Sequence, residues 1–339
     1  MCRSVSGFSF LLLFRHLWSN RTGSTIVLLS QNNSGGSLQR QFAALGLVIL
    51  TLLPAWSGES KADPWPGDTG TEIGNVGSPG GLPAGYEPSG AVWHERLEVL
   101  LVVSDEGSVS RMDADGQNVT TWTPGGDLEA IAIADPQSDL VYLGNEHPDS
   151  DHEFDLSTGA LTGNSWDLTP WMKGPGSRGL EGLTVVNGLF YAGHQREGNI
   201  YVFRLLNGGG VELIDVFAAP AERDDVSGLH YDHSTQTLYA IHDDFDVIVE
   251  MNPDGTFIRE FDLPGENQEG IALVPDCGAA TSRLFVSEDS QALWRYEFYP
   301  AACVSPPAIP ALSWPGVSVL IGLLVASSIA AVPRFTRKV

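Results

Sequence analysis

A short phrase, an acidic residue or a serine followed by a small residue, occurs five times along the chain. The five copies begin at Ser89, Glu129, Glu181, Ser227 and Glu269. Each copy is followed by an apolar run, a turn, a second apolar run and a polar doublet. The five doublets are Asp105-Glu106, Asn145-Glu146, His194-Gln195, His242-Asp243 and Glu288-Asp289. If the fold gathers these carboxylates, their mutual repulsion raises their pKa values or recruits a cation.

Oxygen donors dominate both sets of residues. Carboxylates with amide and hydroxyl companions suit calcium, which takes about six to eight oxygen ligands in a flexible geometry. Two histidines without close His or Cys spacing do not indicate zinc. The alternative interpretation is structural: a Glu or Ser before a small residue caps a loop and bonds backbone N–H groups. The recurrence in all five copies favours a binding site over that alternative.

Basic residues are rare in the repeat region, and four of them adjoin the polar sets in sequence. They are Lys173, Arg178, Arg196 and Arg223. Together with a cation, Arg178, Arg196 and Arg223 are candidates for binding an anion such as a phosphate ester. Surface ion pairs that relieve acidic repulsion are the alternative. The chain has no G-x-S-x-G, H-E-x-x-H or P-loop motif, so no catalytic residue is predicted.

The repeats predict the fold that must position these residues. Their spacing, roughly 40 to 50 residues, is typical of propeller blades. Two apolar runs, a third such as IYVFRL and a fourth such as TFIREFDL give four short antiparallel strands per repeat. We therefore predict an all-β fold, a single β-propeller of five blades, with six as the alternative. The last repeat shows three strands, and a strand near TEIGNV, in residues 63–86, is expected to complete it.

Antiparallel pairing predicts where the polar sets lie. The start of the innermost strand and the end of the second strand of a blade fall on the same rim. Because innermost strands line the channel, the two sets should converge at one mouth. By the same alternation Cys277 and Cys303 fall on the opposite rim, where a disulfide between them is topologically permitted in an exported domain.

Charge is distributed unevenly along the chain. The 339 residues carry a net charge of −24, and residues 63–303 hold 10 of the 18 basic residues and 41 of the 42 acidic ones, a net of −31. Such a surface repels nucleic acid and attracts cations. A solubilising acidic shell is the alternative explanation.

Both ends of the chain read as targeting segments. Arg40, the run FAALGLVILTLLPAW and the small-residue site ending at Ala62 have the layout of a secretory signal, with an uncleaved anchor as the alternative. Near the other end, an apolar run is at the short limit for a membrane-spanning helix, and the basic residues after it favour a cytoplasmic tail. The predicted organisation is 1–62 N-terminal extension and signal peptide, 63–86 linker, 87–303 propeller, 304–315 Pro-rich spacer and sorting motif, 316–333 transmembrane helix and 334–339 basic tail.

Four stretches resemble the SdiA-regulated, or YjiK/CarP-like, β-propeller family. They are EPSGAVWHERLEVLLVVSDEG, GLEGLTVV, DVSGLHYDHSTQTLYAIHDD and ENQEGIALVPD, within residues 85–299. The resemblance implies an exported or membrane-associated protein, similar to phytase-like propellers and linked to calcium, without establishing an enzyme. It makes nine acidic residues candidate calcium ligands: Asp105, Glu106, Glu129, Glu146, Glu181, Asp243, Glu269, Glu288 and Asp289. Ala130, where glycine is usual, and His194-Gln195, where acids are expected, depart from the family pattern.

The C-terminal stretch IPALSWPG, residues 309–316, resembles the IPTL-type sorting signal of exosortase systems. Ala311 stands for the usual threonine and the Trp-Gly spacing is disturbed, whereas the order of motif, helix and basic tail is kept. The resemblance implies a sorting protease as partner and a location at the bacterial inner membrane facing the periplasm, or at the outer surface after cleavage. A plain C-terminal anchor is the alternative.

The expected function is a calcium-binding propeller that acts as a binding or scaffold module in envelope calcium homeostasis or signalling. A calcium-dependent phosphoesterase and a metal-free protein-interaction propeller are the alternatives. The expected partners are calcium ions, the membrane, and a protein or a phosphate ester, with no nucleic acid.

Overall fold

The computed structural model describes residues 62–172, 178–220, 223–276 and 281–298. Over these residues the chain forms five four-stranded antiparallel sheets. They are the five blades of a β-propeller, which confirms the predicted fold class and the count of five rather than six.

The strands follow one another blade by blade. Strand β1 (Thr71–Glu72) comes before the first blade. The first blade contains β2 (Pro88–His94), β3 (Val99–Ser104), β4 (Ser108–Met112) and β5 (Thr120–Trp122). The second contains β6 (Leu128–Ala132), β7 (Leu140–Asn145), β8 (Ser150–Asp155) and β9 (Ala160–Asp167). The third contains β10 (Leu180–Val186), β11 (Leu189–His194), β12 (Asn199–Leu205) and β13 (Val211–Ala218). The fourth contains β14 (Gly228–Asp232), β15 (Thr237–His242), β16 (Val247–Met251) and β17 (Phe257–Asp262), and the fifth contains β18 (Gln268–Asp276), β19 (Thr281–Glu288) and β20 (Ala292–Phe298).

The first strand of the chain completes the last blade. The fifth sheet has the order β1-β20-β19-β18, with Thr71 opposite Arg295 and Glu72 opposite Trp294. This pairing confirms the strand expected in residues 63–86. It also covers the outer edge of β20 with a segment distant in sequence, so the ring is held closed by backbone pairing.

Apolar side chains fill the spaces between neighbouring blades. Strand β15 is buried along its whole length, and Tyr239 at its centre is among the largest fully buried side chains. At the closing blade, Trp65 packs against Tyr296 and Phe298, with ring centroids 5.2 and 5.3 Å apart. Aromatic contacts of this kind reinforce the hydrophobic burial that holds the blades in a ring.

Helical structure is confined to short connections in the described part. Helix α1 (Thr169–Met172) links the second and third blades, and a 3-10 turn over Asp243–Phe245 follows β15. None of the helices in the described ranges has the length and apolar character needed to cross a bilayer. The predicted signal segment up to Lys61, the sorting motif and the transmembrane helix, together with Lys173, Cys277 and Cys303, lie outside the described residues.

Candidate metal centre

The acidic residue of the recurring phrase is a bulge residue at the rim of the channel. In the inner strands β6, β10 and β18 the pairing register shifts by one residue, which leaves Glu129, Glu181 and Glu269 without a directly opposite partner. A bulge bends its strand and redirects a side chain. The backbone irregularity therefore turns these three carboxylates toward the channel.

The small residue after each of them is required because the inner strands approach closely. A Cβ on Gly270 would lie 2.1 Å from the Ser89 carbonyl oxygen. Ala130, which departs from the glycine pattern, is accommodated because two glycines, Gly90 and Gly144, face it. The phrase thus pairs a directed carboxylate with the small residue that lets neighbouring blades meet.

These strand ends enclose a cavity of about 350 Å³ at one mouth of the channel. Its lining consists of Ser89, Asp105, Asp127, Glu129, Glu146, Glu181, Gln195, Glu269 and Asp289. Seven of these nine residues are acidic, and none is basic. Six of the nine candidate ligands predicted from the sequence are among them: Asp105, Glu129, Glu146, Glu181, Glu269 and Asp289.

The other three candidates, Glu106, Asp243 and Glu288, lie outside this lining. In four of the five blades the residue that faces the cavity is the one directly after the second strand: β3 ends at Ser104 and β19 ends at Glu288, which places Asp105 and Asp289 in the lining. In the fourth blade Asp243 has this position but lies outside the lining, and its Oδ1 accepts a hydrogen bond from Gln268 N at 2.9 Å. In the first blade the residue after the second strand is Asp105, so the doublet assigned there is offset by one position. Glu288 accepts a hydrogen bond from Ser290 Oγ at 3.0 Å.

Burial and mutual repulsion raise the pKa values of five cavity carboxyls: Asp105, Glu129, Glu146, Glu181 and Glu269. Burial, then the charges of Asp127, Glu146 and Asp105, raises the pKa of Glu129 to about 8. Burial and Glu106 raise the pKa of Asp105 to about 7.

The two most deeply placed carboxyls show the same effect more strongly. Burial raises the pKa values of Glu181 and Glu269 well above the ordinary range, and in both cases the Glu129 charge adds to the shift. At neutral pH the cavity therefore holds protons unless a cation replaces them.

Three buried oxygen atoms of the lining have no hydrogen-bond partner. They are Asp105 Oδ1, Gln195 Oε1 and Glu269 Oε2. An unpartnered buried polar atom costs about 1–3 kcal/mol. Three such atoms on one cavity fit a site whose oxygens serve a ligand rather than the protein itself. The donor set is oxygen alone, which matches the preference of calcium.

Residues that the sequence interpretation missed lie two positions before the phrase. Glu87, Asp127 and Asp225 each belong to an acidic group whose ligand atoms lie within 4.8 Å of one another. The three groups are Glu87, Asp105 and Asp289; Asp127, Glu146 and His147; and Asp225, Asp243 and Asp244. Each joins a residue two positions before the phrase with the residue after the second strand of the same blade. The recurrence of an acidic residue two positions before the phrase in three repeats is the sequence signal that could have identified these residues.

The candidate anion-binding residues separate into two environments. Arg178 and Arg196 are exposed and border a second cavity of about 210 Å³, which shares Gln195 with the acidic one. Arg223 instead donates to both carboxylate oxygens of Glu260, with Nη2–Oε1 at 2.9 Å and Nε–Oε2 at 3.2 Å. Its guanidinium is occupied by an ion pair, so we leave Arg223 out of the site.

In one copy of the phrase the polar side chain bonds the backbone, as the structural alternative to a binding site expects. Ser227 Oγ donates to the Gln268 carbonyl at 2.8 Å and joins the fourth and fifth blades. In the polar doublets, Asn145 Oδ1 likewise accepts from Asp127 N at 2.8 Å and His242 Nδ1 lies 3.0 Å from the Asp224 carbonyl. These residues hold the rim together, while the carboxylates between them face the cavity.

The architecture described above is that of a five-bladed propeller with an acidic channel mouth. The model of the SdiA-regulated family matches residues 213–301, from within the third blade to the end of the fifth, and confirms the family resemblance there. A search of curated proteins gave no match.

The solved structures that match the chain include two of low sequence identity. The crystal structure of Myxococcus xanthus glutaminyl cyclase is 12% identical, with a TM-score of 0.49, and the match covers 67% of this chain and 93% of that one. Kuenenia stuttgartiensis hydrazine synthase is 15% identical, with a TM-score of 0.39, over 59% of this chain and 55% of that one.

Proposed function

We propose that this propeller binds calcium at the acidic mouth of its channel. It then acts as a binding or scaffold module in envelope calcium homeostasis or signalling. The observation that carries the proposal is the cavity lined by seven carboxylates, in which Asp105 Oδ1, Gln195 Oε1 and Glu269 Oε2 are buried without a partner.

Electrostatics explain why a cation suits this cavity. Seven acidic side chains cannot all ionise in a partly desolvated space without a compensating charge. Protonation removes the repulsion, and so does a divalent cation. Glu181, Glu129 and Glu269 come from three different inner strands, so a bound cation would also tie three blades together.

The donor set favours calcium over zinc and magnesium. Zinc prefers nitrogen and sulfur ligands. The one histidine in the acidic groups, His147, already has Nδ1 at 2.6 Å from Asp127 Oδ2. Magnesium requires a small, nearly ideal octahedron and retains several waters, whereas calcium accepts more numerous and less regular carboxylate ligands.

The location outside the cytoplasm is supported by the sequence. The signal-type segment ending at Ala62 and the sorting-type motif at 309–316 flank the propeller. Free calcium is abundant outside the cytoplasm of a cell, where a site of modest affinity would be filled.

The test is a calorimetric titration of calcium into the full-length chain after metal has been removed with a chelator. We expect saturable binding in the wild type and at least a tenfold loss of affinity in Glu181→Gln and in Glu269→Gln. Calcium should also raise the melting temperature of the wild type more than that of either variant, because ligand binding to the folded state alone stabilises it.

Glu72→Gln and Glu212→Gln are matched controls, because each removes an exposed carboxylate on an outer strand, β1 or β13, away from the channel. They should bind calcium with an affinity within about threefold of the wild type, since one distant exposed charge is worth well under 1 kcal/mol. If calcium neither releases heat nor shifts the melting temperature of the wild type, the calcium proposal is wrong, and a metal-free protein-interaction propeller becomes the better description.

A calcium-dependent phosphoesterase is the second candidate. It is favoured by the shared residue Gln195, which places the cavity bordered by Arg178 and Arg196 next to the acidic one. Guanidinium groups bind phosphate oxygens, and a bound cation supplies polarisation of a phosphate and an ionised water. Hydrolysis of p-nitrophenyl phosphate that needs calcium and is lost in Arg196→Ala, with calcium affinity kept, would support it. If the wild type does not hydrolyse the substrate, the phosphoesterase candidate is wrong and the calcium-binding module remains the proposed function.

A further inference from the structure

The other end of the channel opens into a third cavity, which has the same volume as the acidic one, about 350 Å³. It lies where the inner strands end, on the face opposite the acidic mouth. Most of its wall is apolar, with contributions from Trp93, Ile133, Val185, Leu229 and Leu273. Cavities of this size with a predominantly apolar lining and a few polar groups are typical of small-molecule sites.

A constriction closes the inner end of this cavity. Between the two mouths the channel narrows to about 10 Å³, lined by residues that include Gly182, Gly228 and Gly270. That volume has room for about one water molecule. A ligand of the apolar cavity must therefore enter from the face of the propeller opposite the acidic mouth, and it cannot reach that mouth through the channel.

The walls are held in place from behind. The Trp93 ring stacks on Phe285, with centroids 5.9 Å apart and planes 4° apart, and the Arg283 guanidinium lies over it at 5.5 Å. At the other side Tyr231 and His233 meet edge to face at 4.7 Å. A preformed pocket with rigid aromatic walls loses little entropy when it binds a ligand.

The His230 imidazole is a polar group of the lining that is available to a ligand. Thr184 Oγ1 already accepts from Tyr231 N at 3.0 Å, and Asp232 Oδ1 accepts from Ser234 N at 2.8 Å. In the ranges that the structure describes, no residue hydrogen-bonds to the His230 imidazole. Burial lowers the pKa of His230 to about 4, so the ring is neutral and offers one donor and one acceptor.

Charge narrows the class of ligand. The charged residues of the lining, Glu95 and Asp232, are both acidic, and residues 63–303 carry a net of −31. An anionic ligand would be repelled. The hydrogen bonds that Asp232 accepts from Ser234 and Thr235 compensate its charge within the protein.

We propose that this cavity binds a small uncharged molecule that has an aromatic or alicyclic body and one hydrogen-bonding group, which contacts His230. The apolar body would fill the space between Trp93 and Leu273. This site is separate from the acidic mouth and does not depend on calcium.

The experiment uses the full-length chain and the neutral fluorescent probe N-phenyl-1-naphthylamine, displaced by 1-naphthol or by naphthalene. We expect saturable probe binding to one site, with 1-naphthol displacing it at least fivefold better than naphthalene. In His230→Phe, which keeps an aromatic ring but removes both nitrogens, that preference should disappear.

Ala134→Trp tests the location, because Ala134 is exposed at the entrance and a bulky side chain there obstructs it without disturbing the core. Probe affinity should fall at least tenfold. Ala218→Trp, the same change at an exposed position on the outer strand β13, should leave it within twofold. Melting temperatures show whether each variant folds. If His230→Phe does not fold, the result for Ala134→Trp decides the test. Absence of saturable binding, or unchanged affinity in Ala134→Trp, would overturn the proposal.

Discussion

The two mouths of the channel have the same volume and opposite chemistry. Each cavity measures about 350 Å³. All five inner strands line the apolar one, whereas β2, β6, β10 and β18, together with residues of the connections between strands, line the acidic one. One is lined by seven acidic residues, whereas the other is mostly apolar and has the His230 imidazole among its few polar groups. The difference lies in which end of each inner strand faces the cavity.

A single repeat can therefore build two unlike sites. The start of an inner strand carries a bulge that turns a carboxylate into the channel, as at Glu181. The end of the strand keeps regular pairing and contributes aliphatic and aromatic side chains. Buried carboxylates need protons or a cation, while an apolar wall needs only to exclude water. The constriction between them keeps these two requirements apart.

The largest effect is expected at the constriction. Gly270→Ala should lower the free energy of unfolding by about 3 kcal/mol, because the new Cβ would lie 2.1 Å from Ser89 O and overpacking on this scale forces the backbone to move. Denaturant unfolding followed by far-ultraviolet circular dichroism measures it. Gly210→Ala is the control, since its Cβ would find nothing nearer than 3.5 Å.

The control should change the free energy of unfolding by less than about 1 kcal/mol. Equal stability of the two variants would mean that the inner strands can separate without cost. The constriction would then be no barrier, and the two mouths could not be treated as independent sites.

The repeat pattern predicted the fold almost completely. Self-similar quartets of apolar runs predicted five blades, and the three-strand last repeat predicted that residues 63–86 would supply the closing strand, which is β1. Antiparallel alternation also predicted that polar strand ends would converge at one mouth. These features depend on local periodicity and on chain direction, both of which can be deduced from the sequence.

The details that depend on pairing register were not predictable in this way. The offset of Asp105-Glu106 relative to the other doublets follows from where β3 ends. Arg223 adjoins the polar doublets in sequence, but its partner is Glu260 in the next blade, 37 residues away. The apolar mouth had no signal, because Trp93 and Leu273 look like any other strand residues until the ring closes.

The second largest effect is on the pH dependence of the free energy of unfolding, to which Glu129 at the acidic mouth and His230 at the apolar mouth contribute with opposite sign. In the folded state Glu129 has a pKa of about 8 instead of 4.5, so between these values the folded chain holds a proton that the unfolded chain has released. The free energy of unfolding therefore falls as the pH rises through this window. His230 has a pKa of about 4 instead of 6.5, so the unfolded chain holds the extra proton and the free energy of unfolding rises from pH 4 to 6.5.

Urea unfolding in a chelator at several pH values separates the two pH windows. Burial also lowers the pKa of His242, at the acidic rim, to about 4, so His242 adds to the rise between pH 4 and 6.5, and His230→Phe isolates the contribution of His230. Above pH 6.5 the His230 contribution is complete, and stability should decline toward pH 8 by at most about 1.4 kcal/mol per pH unit for each proton. Glu129→Gln should flatten that decline, and calcium should reverse it. Asp151 is buried away from the channel, and its pKa is raised to about 8, so it adds to the decline in stability. The variant Asp151→Asn measures this contribution, and the remaining decline is then assigned to the acidic mouth. Stability that rises steadily to pH 8 in chelator would show that the acidic mouth carries no repulsion.

The smallest effect distinguishes two serines at the same position of the phrase. Ser227 Oγ bonds the Gln268 carbonyl at 2.8 Å, so Ser227→Ala should cost about 1 kcal/mol of unfolding free energy and leave calcium affinity unchanged. Ser89 lines the acidic cavity and its side chain bonds Glu129, where it lowers the pKa of that carboxyl. Ser89→Ala should therefore weaken calcium binding by about threefold, since it removes a weak neutral partner of one ligand rather than the ligand itself. Calorimetric titration of both variants measures the affinities, and thermal unfolding measures the stabilities. If both serines affected stability alone, the two serine copies of the phrase would be structural elements, and the carboxylates of the other three copies would remain as the binding residues of the mouth.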